Sequence, residues 1–552
     1  MTTVQSIADS ISGGIQGDQV VPLPRRAELC EECIESVQRV AERWAELGAE
    51  AKGCGDRPEI IAEELLAGPV IVIRFLRLAQ LTLRQLFEFG KPTLPGTPKM
   101  GDAGCVEVPI VPTRGLFDSI IFLGLRGRVR MQPEITIEEI HGDLLRQACE
   151  SSVGLTTAVL GAGNVSSVPA TDSLDRMLFQ GRHVILKMNP VNSYLLPVFE
   201  AAFAPLIREG LFSLLTGDAL LGRELIHHPA IHDVHITGSI ESHDRIVWGD
   251  DAQTQARQKT LGIPLLEKPV TSELGNVTPW IIVPGEYTAR ELDSQAQHLA
   301  ASITNNAAFN CLATRVVLSW KNWPQRADFL QRLQGFLERT PRRPAYYPGA
   351  LERYRRFLGK HVDPDHAGRL PWALLTAQSI RERPELFGEE SFACVCAETT
   401  LDGECPEEFL ERAVEFVNDQ VAGSLCASIT FPNKFQTSNR SAYERALRQL
   451  RYATICVNQW SGLAYSLISP PWGGYPGSTL DCAGSGRGAV HNTYLLERFE
   501  KSILQGPLVN FPRPAWFASH RNPLATARAL LHLYARPQLT RLPRLFSAAL
   551  RG

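Results

Sequence analysis

The chain has 552 residues, of which 44% are hydrophobic and 21% are charged, and its formal net charge is −3. This length allows two or three domains with substantial cores, and the composition is that of an ordinary globular protein. The near balance of charges gives no reason to expect nucleic acid or an anionic membrane as a partner.

The N-terminal sequence and the spacing of the cysteines indicate in which cellular compartment the protein is expected. The first 19 residues lack the basic region and apolar core of a secretory signal. Twelve cysteines at irregular spacing do not form the pattern of a disulfide framework. The most apolar stretch, 65–83, is interrupted by Arg74 and Arg77, so we expect it not to span a membrane. We therefore expect a cytoplasmic protein with reduced thiols.

Residues 26–65 are predicted to be helical, because their apolar residues recur at helical spacing. Cys30 and Cys33 form a CxxC pair within this helix. No second Cys/His pair follows at zinc-ligand spacing, so packing is favoured over metal binding and no metal site is expected. Prolines at 92, 95 and 98 then break the chain before the strand-like segment 106–112.

Two stretches alternate strands with helices. Between 150 and 240 we predict strands at 155–161, 182–188, 211–217 and 234–239, separated by helices of about 10–15 residues. Between 272 and 470 we predict further strands at 279–285, 314–320, 392–398, 427–431 and 453–459. This alternation is typical of βαβ units and predicts an α/β fold with parallel sheets.

The first of these stretches contains a weak dinucleotide signal. Gly161 and Gly163 stand between a strand and a helix, near the spacing of the Gly-rich fingerprint, but its third glycine is replaced by Ser166. The next strand ends at Lys187, where the fingerprint expects a ribose-binding acid. A cation at the carboxyl end of a parallel strand suits an anionic ligand, and a solvated lysine fits equally well.

Two residues could take part in catalysis, and each also has a purely structural interpretation. Glu273 enters a strand expected to be buried, where desolvation would raise its pKa and suit it as a general base. It could equally pair with an arginine. Cys311, in the sequence NNAAFNCL, is either a buried packing residue or a nucleophile. Neither motif decides between these interpretations by itself.

In chain order, however, the motifs resemble those of the aldehyde dehydrogenase superfamily. The landmarks are Asn164 before a helix, Lys187 at a strand end, TGS at 237–239, ELGN at 273–276 and an Asn-rich segment leading into Cys311. ELFG at 385–388 is similar to the family's E-x-F-G, and 469–488 is similar to its P-F-G-G followed by S-G-x-G. The resemblance covers about residues 150–490.

The resemblance implies a role for each matched residue. Cys311 would be the nucleophile, Asn164 would donate to the oxyanion and Glu273 would be the base. NAD or NADP would be the cofactor, and its implied contacts are Lys187, Gly238, Ser239, Leu274, Glu385 and Phe387. The GAGN loop would then face the reacting carbonyl, which replaces its first interpretation as a pyrophosphate loop.

The resemblance also implies an architecture. We expect helices and a Rossmann-like dinucleotide-binding domain over 1–271, a catalytic α/β domain over 272–475, and a return segment with a C-terminal extension over 476–552. A small β-hairpin would join subunits into a homodimer or homotetramer. The candidates for that hairpin are the segment near 105–130 and the tail beyond 488.

The chain departs from the family at Pro190, where a ribose-binding glutamate usually stands three residues after the lysine. Without that carboxylate, we expect NADP to be accepted at least as well as NAD. Asn276 also replaces a glycine beside the base. The segment 111–129 and the tail resemble the related fatty acyl-CoA reductases.

Three functions therefore remain open. The first is NAD(P)-dependent oxidation of a small-molecule aldehyde to an acid, which is favoured by Glu273. The second is a CoA-linked reaction that makes or consumes an acyl-CoA, which is favoured by the likeness at 111–129. The third is a non-catalytic member of the family.

Overall fold

The computed structural model describes residues 7, 9–11, 21–101, 104–150 and 154–552. Its strands, in chain order, are β1 Lys99–Met100, β2 Val106–Val111, β3 Arg126–Met131, β4 Thr156–Leu160, β5 His183–Lys187, β6 Phe212–Leu215, β7 Asp233–Thr237, β8 Val270–Glu273, β9 Thr278–Ile282, β10 Thr314–Trp320, β11 Arg343–Pro344, β12 Arg369–Leu370, β13 Ala373–Leu375, β14 Val395–Leu401, β15 Cys426–Thr430, β16 Thr454–Val457, β17 Trp472–Gly473, β18 Gly486–Arg487, β19 Ala489–His491 and β20 Phe499–Gln505.

Helices account for most of the connections between these strands. The α-helices of seven residues or more are Leu23–Ala51, Pro58–Leu65, Ile71–Phe89, Leu144–Glu150, Val168–Gln180, Leu196–Ala202, Ala219–His227, Ile240–Trp248, Ala252–Leu261, Ala289–Thr304, Arg326–Arg339, Ala350–Leu358, Pro406–Asp419, Arg440–Gln449, Pro523–Ala535 and Leu542–Ala549. The shorter ones are Asp118–Ile121, Ala204–Arg208, Glu385–Gly388, Asn433–Ser438 and Gly462–Leu467.

The first sheet has six strands in the order β18-β8-β7-β4-β5-β6. Strands β4 to β8 run parallel to one another, and β18 is antiparallel to β8. The strands predicted at 155–161, 182–188, 211–217 and 234–239 are confirmed as β4 to β7. Their runs of Val, Ile and Leu are buried because helices cover a parallel sheet on both faces.

The second sheet has ten strands in the order β1-β2-β3-β20-β16-β15-β9-β10-β14-β13. The seven strands from β20 to β13 are parallel, and β3, β2 and β1 extend one edge in antiparallel fashion. The five strands predicted between 279 and 459 are confirmed within it. The predicted α/β fold with two parallel-sheet domains is therefore confirmed.

The structure differs from the predicted domain division at one boundary and in the sheet to which the predicted hairpin belongs. The division at 271/272 falls inside β8, so the change of sheet comes after Glu273. The hairpin near 105–130 is formed by β2 and β3, but these strands belong to the second sheet, where β3 pairs with β20. Because β20 pairs in turn with β16, both candidates for the subunit-joining element lie in one continuous sheet of this chain.

One helical segment of the described residues, Pro58–Phe89, is long and apolar enough to cross a membrane, yet 78% of its most apolar window is buried inside the fold. Arg74 lies in that window and forms a buried ion pair with Asp118 at 2.7 Å. The segment thus packs as a core helix of this fold. Cys30 and Cys33 are also core residues, with side chains fully buried in the helix Leu23–Ala51.

Candidate active site

A cavity of about 1660 Å³ opens at the carboxyl ends of four neighbouring strands of the first sheet. Leu160, Lys187, Thr237 and Glu273 are the last residues of β4, β5, β7 and β8, and all four line it. Ligands of open α/β sheets bind at this edge. The segment before β10, which carries Cys311, lines the same cavity.

Cys311 is the cysteine of this cavity. All twelve cysteines lie in the described residues; eight are buried, three are exposed, and Cys311 alone is partly exposed. Its thiol donates a hydrogen bond to Glu273 Oε1 at 3.3 Å. Burial raises the pKa of the Cys311 thiol well above its usual value, and the nearby carboxyl groups of Glu273 and Glu390 add to this. A neutral thiol next to a carboxyl group therefore needs a base in order to attack.

Glu273 is held at the end of β8 by the return segment of the chain. Gly486 of β18 pairs with Glu273, and its φ of +131° is one that glycine adopts without strain. A Cβ on Gly486 would lie 2.1 Å from the carbonyl oxygen of Ser272, so only glycine permits this close approach. The S-G-x-G motif thus has a structural role, because it fixes the strand that carries the base.

The Glu273 carboxyl group is buried, with 3% of the residue exposed. Burial raises its pKa from 4.5 to about 8, and the buried carboxyl of Asp172 contributes to the rise. A carboxyl group with a pKa near neutrality can accept a proton at working pH, as a general base must. The predicted raised pKa of Glu273 therefore has the physical cause that the sequence indicated.

Trp472 supplies a contact that sequence reasoning missed. Its indole Nε1 donates a hydrogen bond to Glu273 Oε2 at 3.1 Å, while Glu273 Oε1 accepts from Cys311. The family motif P-F-G-G reads PWGG in this chain, and phenylalanine has no donor with which to make this bond. The tryptophan in place of phenylalanine was the feature of the sequence from which this contact could have been predicted.

Replacement of Trp472 by phenylalanine is expected to raise the pKa of Glu273 further, because a hydrogen bond to the ionised form is lost. Hydrogen bonds to charged groups contribute about 1.5–3 kcal/mol, which corresponds to roughly one to two pH units. The rising limb of the pH–rate profile should move to higher pH by that amount. Trp460→Phe is the matched control, because the Trp460 indole binds the Leu312 carbonyl instead. An unshifted limb in Trp472→Phe would contradict this role.

Asn164 lines the cavity in the loop after β4, and within the described residues its side-chain amide makes no hydrogen bond. The backbone N–H of Cys311 is likewise unbonded in the described part of the chain. Two donors at one cavity could together receive an oxyanion. Asn164, Glu273 and Cys311, the three predicted catalytic residues, all line the same cavity.

Asn306 ties the Asn164 loop to the loop of Cys311. Its Nδ2 donates to the carbonyl oxygens of Asn164 at 2.9 Å and Phe309 at 2.8 Å, and its Oδ1 accepts from Lys52 Nζ at 2.9 Å. Lys52 is itself paired with the buried Glu64. Asn306, Ala307 and Ala308 have φ values of +50°, +54° and +68°, a strained turn that this network holds in place.

The two residues before Cys311 hold the turn in place, Phe309 by packing and Asn310 by a hydrogen bond. Phe309 is 2% exposed and stacks on Tyr347 at a centroid distance of 5.7 Å, with Tyr346 and Phe392 also in contact. Asn310 Oδ1 accepts from the backbone N–H of Leu312 at 3.0 Å. Both residues thus fix the turn that presents the thiol.

The predicted cofactor residues of the first sheet line the cavity as a group. Lys187, Gly238, Ser239 and Leu274 are all among its lining residues. Ser239 caps the nine-residue helix Ile240–Trp248, and no atom lies within 4 Å of a Cβ built on Gly238. A helix N-terminus facing open space suits a pyrophosphate. Burial lowers the pKa of Lys187, with Asp218 opposing the change.

Glu385 and Phe387 do not line the cavity, and the structure contradicts their prediction as cofactor contacts. Glu385 pairs with Arg383, while Phe387 is fully buried in the core against Phe416. The short helix Glu385–Gly388 turns these side chains away from the site. Five residues later, Glu390-Ser391-Phe392 repeats the E-x-F spacing, and both Glu390 and Phe392 line the cavity.

Glu390 has the properties that were expected of Glu385. Its Oε1 is buried and makes no hydrogen bond within the described residues. Burial raises its pKa to about 7, partly offset by Arg315. A buried acceptor without a partner fits a ribose hydroxyl, which would supply the missing donor. Its position before strand 392–398 was a signal in the sequence, but the same letters at 385–387 obscured it.

The fold and the site together define a two-sheet α/β protein with a dinucleotide-type sheet edge beside a Cys–Glu pair. Residues 154–342 match the model of the aldehyde dehydrogenase family. No curated protein matches the sequence. Over residues 154–342, the family match confirms the resemblance to the aldehyde dehydrogenase superfamily drawn from the motifs.

Several solved structures share that fold. An NAD-dependent aldehyde dehydrogenase from Sinorhizobium meliloti is 15% identical, with a TM-score of 0.60 over 93% of this chain and 87% of that one. A betaine aldehyde dehydrogenase from Staphylococcus aureus in complex with NAD+ is 15% identical, with a TM-score of 0.58 over 91% and 88%. An aldehyde dehydrogenase from Physcomitrella patens, in complex with the reaction product succinate, is 14% identical, with a TM-score of 0.58 over 91% and 88%.

Proposed function

We propose that the protein oxidises an aldehyde to a carboxylic acid with NAD or NADP, through a thioester on Cys311. The observation that carries this proposal is the hydrogen bond between the Cys311 thiol and a buried glutamate whose pKa is raised to about 8. Such a pair activates a nucleophile and can later activate water. A packing cysteine needs no base beside it.

In the first step, Cys311 Sγ attacks the aldehyde carbon and its proton passes to Glu273 Oε1. The carbonyl oxygen becomes an alkoxide that receives hydrogen bonds from the Asn164 amide and the backbone N–H of Cys311. One such donor typically lowers a barrier by about 2.7–4 kcal/mol. A bound NAD(P)+ would supply the hydride acceptor, and loss of hydride from the substrate carbon would leave a thioester on Cys311.

Before the second step, Glu273 releases the thiol proton to solvent. Glu273 then takes a proton from water as the water oxygen attacks the thioester carbon. The C–S bond breaks, the acid leaves, and Glu273 returns its proton to the sulfur, which restores the Cys311 thiol. The sum is aldehyde, water and NAD(P)+ converted to acid, NAD(P)H and a proton. The contact with Trp472 keeps the carboxyl group facing this reaction in both steps.

The residues present fit the cofactor. Lys187 and the capped helix start at Ser239 suit the adenosine ribose and the pyrophosphate. The unsatisfied Glu390 Oε1 suits the nicotinamide ribose, and Phe392 lies beside it in the cavity. We therefore assign to Glu390 and Phe392 the roles that were first predicted for Glu385 and Phe387.

Replacement of Pro190 by glutamate is expected to shift the preference from NADP towards NAD. Pro190 is exposed and begins a short 3-10 helix that is capped by Asn189, so a glutamate can enter without burial. Its carboxylate would accept from a ribose 2′-hydroxyl and repel a 2′-phosphate. The ratio of kcat/KM for NADP to that for NAD should fall at least tenfold. Pro190→Gln is the control for charge, and a wild-type enzyme with strong NAD preference would contradict the account.

Product analysis tests the proposed function against the CoA-linked alternative. Purified protein is supplied with an aldehyde and NAD(P)+, with and without CoA. We expect free acid to form at the same rate in both cases. Acid formation that requires CoA, or thioester in large excess over acid, would favour the acyl-CoA reaction. No turnover in either mixture would favour a non-catalytic protein.

A further inference from the structure

Three helical segments contribute apolar side chains to the lining of the cavity that contains Cys311. Leu66 and Val70 lie on the segment Pro58–Phe89, and Leu463 and Leu467 lie on the helix Gly462–Leu467. Leu530 lies on the helix Pro523–Ala535. Tyr534, which also lines the cavity, follows Leu530 by four residues.

In the two α-helices, Leu463/Leu467 and Leu530/Tyr534 are i,i+4 pairs, so each pair lies on one helix face. Leu66 and Val70 are the first and last residues of a π-helical turn in the remaining segment. Five of the six side chains are aliphatic. Phe122, which follows the short helix Asp118–Ile121, adds an aromatic ring to the same cavity. A surface built in this way offers dispersion contacts and water exclusion to an apolar ligand and few hydrogen bonds.

The third helix belongs to the C-terminal extension, for which the sequence suggested no role in substrate binding. The extension is firmly docked on the fold: Arg528 pairs with Glu42 at 2.8 Å, and Arg74 Nη1 donates to the Tyr534 hydroxyl at 2.8 Å. Ser519 Oγ donates to Gln297 Oε1 at 2.7 Å. Leu530 and Tyr534 therefore form a fixed wall.

The acidic residues that the segment Pro58–Phe89 contributes to the cavity are compensated. Glu59 pairs with Arg57, and Glu63 pairs with Arg343, so these charges are compensated. Arg521 lines the cavity but is exposed at the start of the extension. An anionic substrate tail would need a cation among the side chains of the three segments named above, and those six lining side chains include none.

We propose that the substrate is an aldehyde with an extended apolar chain, and that the C-terminal extension forms one wall of its binding pocket. This inference rests on the proposed aldehyde oxidation and names its substrate class. Aldehyde carbon lies at Cys311, and the chain runs between the three helix faces towards Leu530.

The first test is a series of straight-chain aldehydes from propanal to dodecanal. Burying one methylene group favours binding about fourfold, so kcat/KM should rise by about that factor per carbon until the pocket is filled. A kcat/KM that is flat or falls with chain length would overturn the inference while leaving aldehyde oxidation intact.

The second test narrows the pocket with Leu530→Trp. We expect the ratio of kcat/KM for dodecanal to kcat/KM for propanal to fall at least tenfold. Leu539→Trp is the matched control, because Leu539 is an exposed leucine of the same extension and does not line the cavity. If Leu530→Trp fails to fold, Leu530→Ala serves instead and should lower kcat/KM for dodecanal more than that for propanal. An equal loss for propanal and dodecanal would overturn the inference.

A third measurement is independent of turnover. Calorimetric titration of the wild-type protein with dodecanoate and hexanoate compares apolar chains that carry the same carboxylate. Binding of dodecanoate at least tenfold tighter supports the pocket even if no aldehyde is oxidised, in which case only the proposed function fails. Equal affinity for the two acids would overturn the inference.

Discussion

Replacement of Cys311 by alanine is expected to lower kcat by at least about 10⁴-fold, because the nucleophile is lost and the other cysteines lie outside the cavity. Removal of a covalent nucleophile leaves only binding and electrostatic contributions to the rate. Formation of NAD(P)H from aldehyde, followed by absorbance, measures this loss.

The matched control for this variant is Cys482→Ala, which removes an exposed thiol of the return segment. It should retain wild-type activity. Cofactor binding by the Cys311→Ala protein, measured by calorimetry, should also remain, because the predicted cofactor contacts do not include the thiol. Retention of activity in Cys311→Ala would mean that the cavity is not the site of a cysteine-dependent reaction.

Replacement of Glu273 by glutamine is expected to slow hydrolysis of the thioester by about 10²–10⁴-fold, the usual contribution of a general base. Ionised Glu273 is one cause of the raised pKa of Cys311, so the neutral variant should have a thiol that ionises more readily. Thioester formation should therefore suffer less than hydrolysis. A rapid burst of one NAD(P)H per site, followed by slow turnover, is the expected result in stopped-flow kinetics.

The pH dependence provides a second observation on the same residue. In the wild-type protein, kcat/KM should rise with pH and level off above about 8, as Glu273 loses its proton. The Glu273→Gln protein should lack this rise of kcat/KM with pH. A wild-type profile that is flat between pH 6 and 9 would argue against Glu273 as the base.

As pH rises, the contribution of Glu273 to the stability of the fold should fall, while the activity should rise. The folded-state pKa of Glu273, about 8, lies above the ordinary value of 4.5, so the folded protein holds this proton more tightly than the unfolded chain. Its contribution to the free energy of unfolding is therefore full below pH 4.5 and is lost as pH rises to about 8. The Tm of Glu273→Gln relative to wild type should increase across this range.

Much of the fold could be predicted from the sequence, because its strands are continuous apolar runs. Segments such as 155–161 and 314–320 are buried on both faces in parallel sheets, and their hydrophobicity indicates this directly. The position of β2 and β3 could not be predicted in this way. Which sheet a strand joins depends on contacts distant in sequence, here with β20 near residue 500.

The catalytic residues could be predicted from the order of motifs along the chain. The other contacts in the site could not be predicted as well. Cys311 and Glu273 stand in motifs whose order along the chain is specific. The E-x-F motif occurs twice within eight residues, and only the fold shows that Glu385 turns away while Glu390 faces the cavity. The bond from Trp472 to Glu273 spans 199 residues and has no local pattern in the sequence.

The most direct test of a thioester on Cys311 is mass spectrometry of the Glu273→Gln protein after mixing with an aldehyde and NAD(P)+. Slow hydrolysis should leave the acyl group on the protein, and peptide analysis should locate it on the peptide that contains Cys311. The adduct should require the oxidised cofactor and should be absent when Cys311 is replaced by alanine. Formation of NAD(P)H without an acyl adduct, or an adduct on another cysteine, would contradict the account.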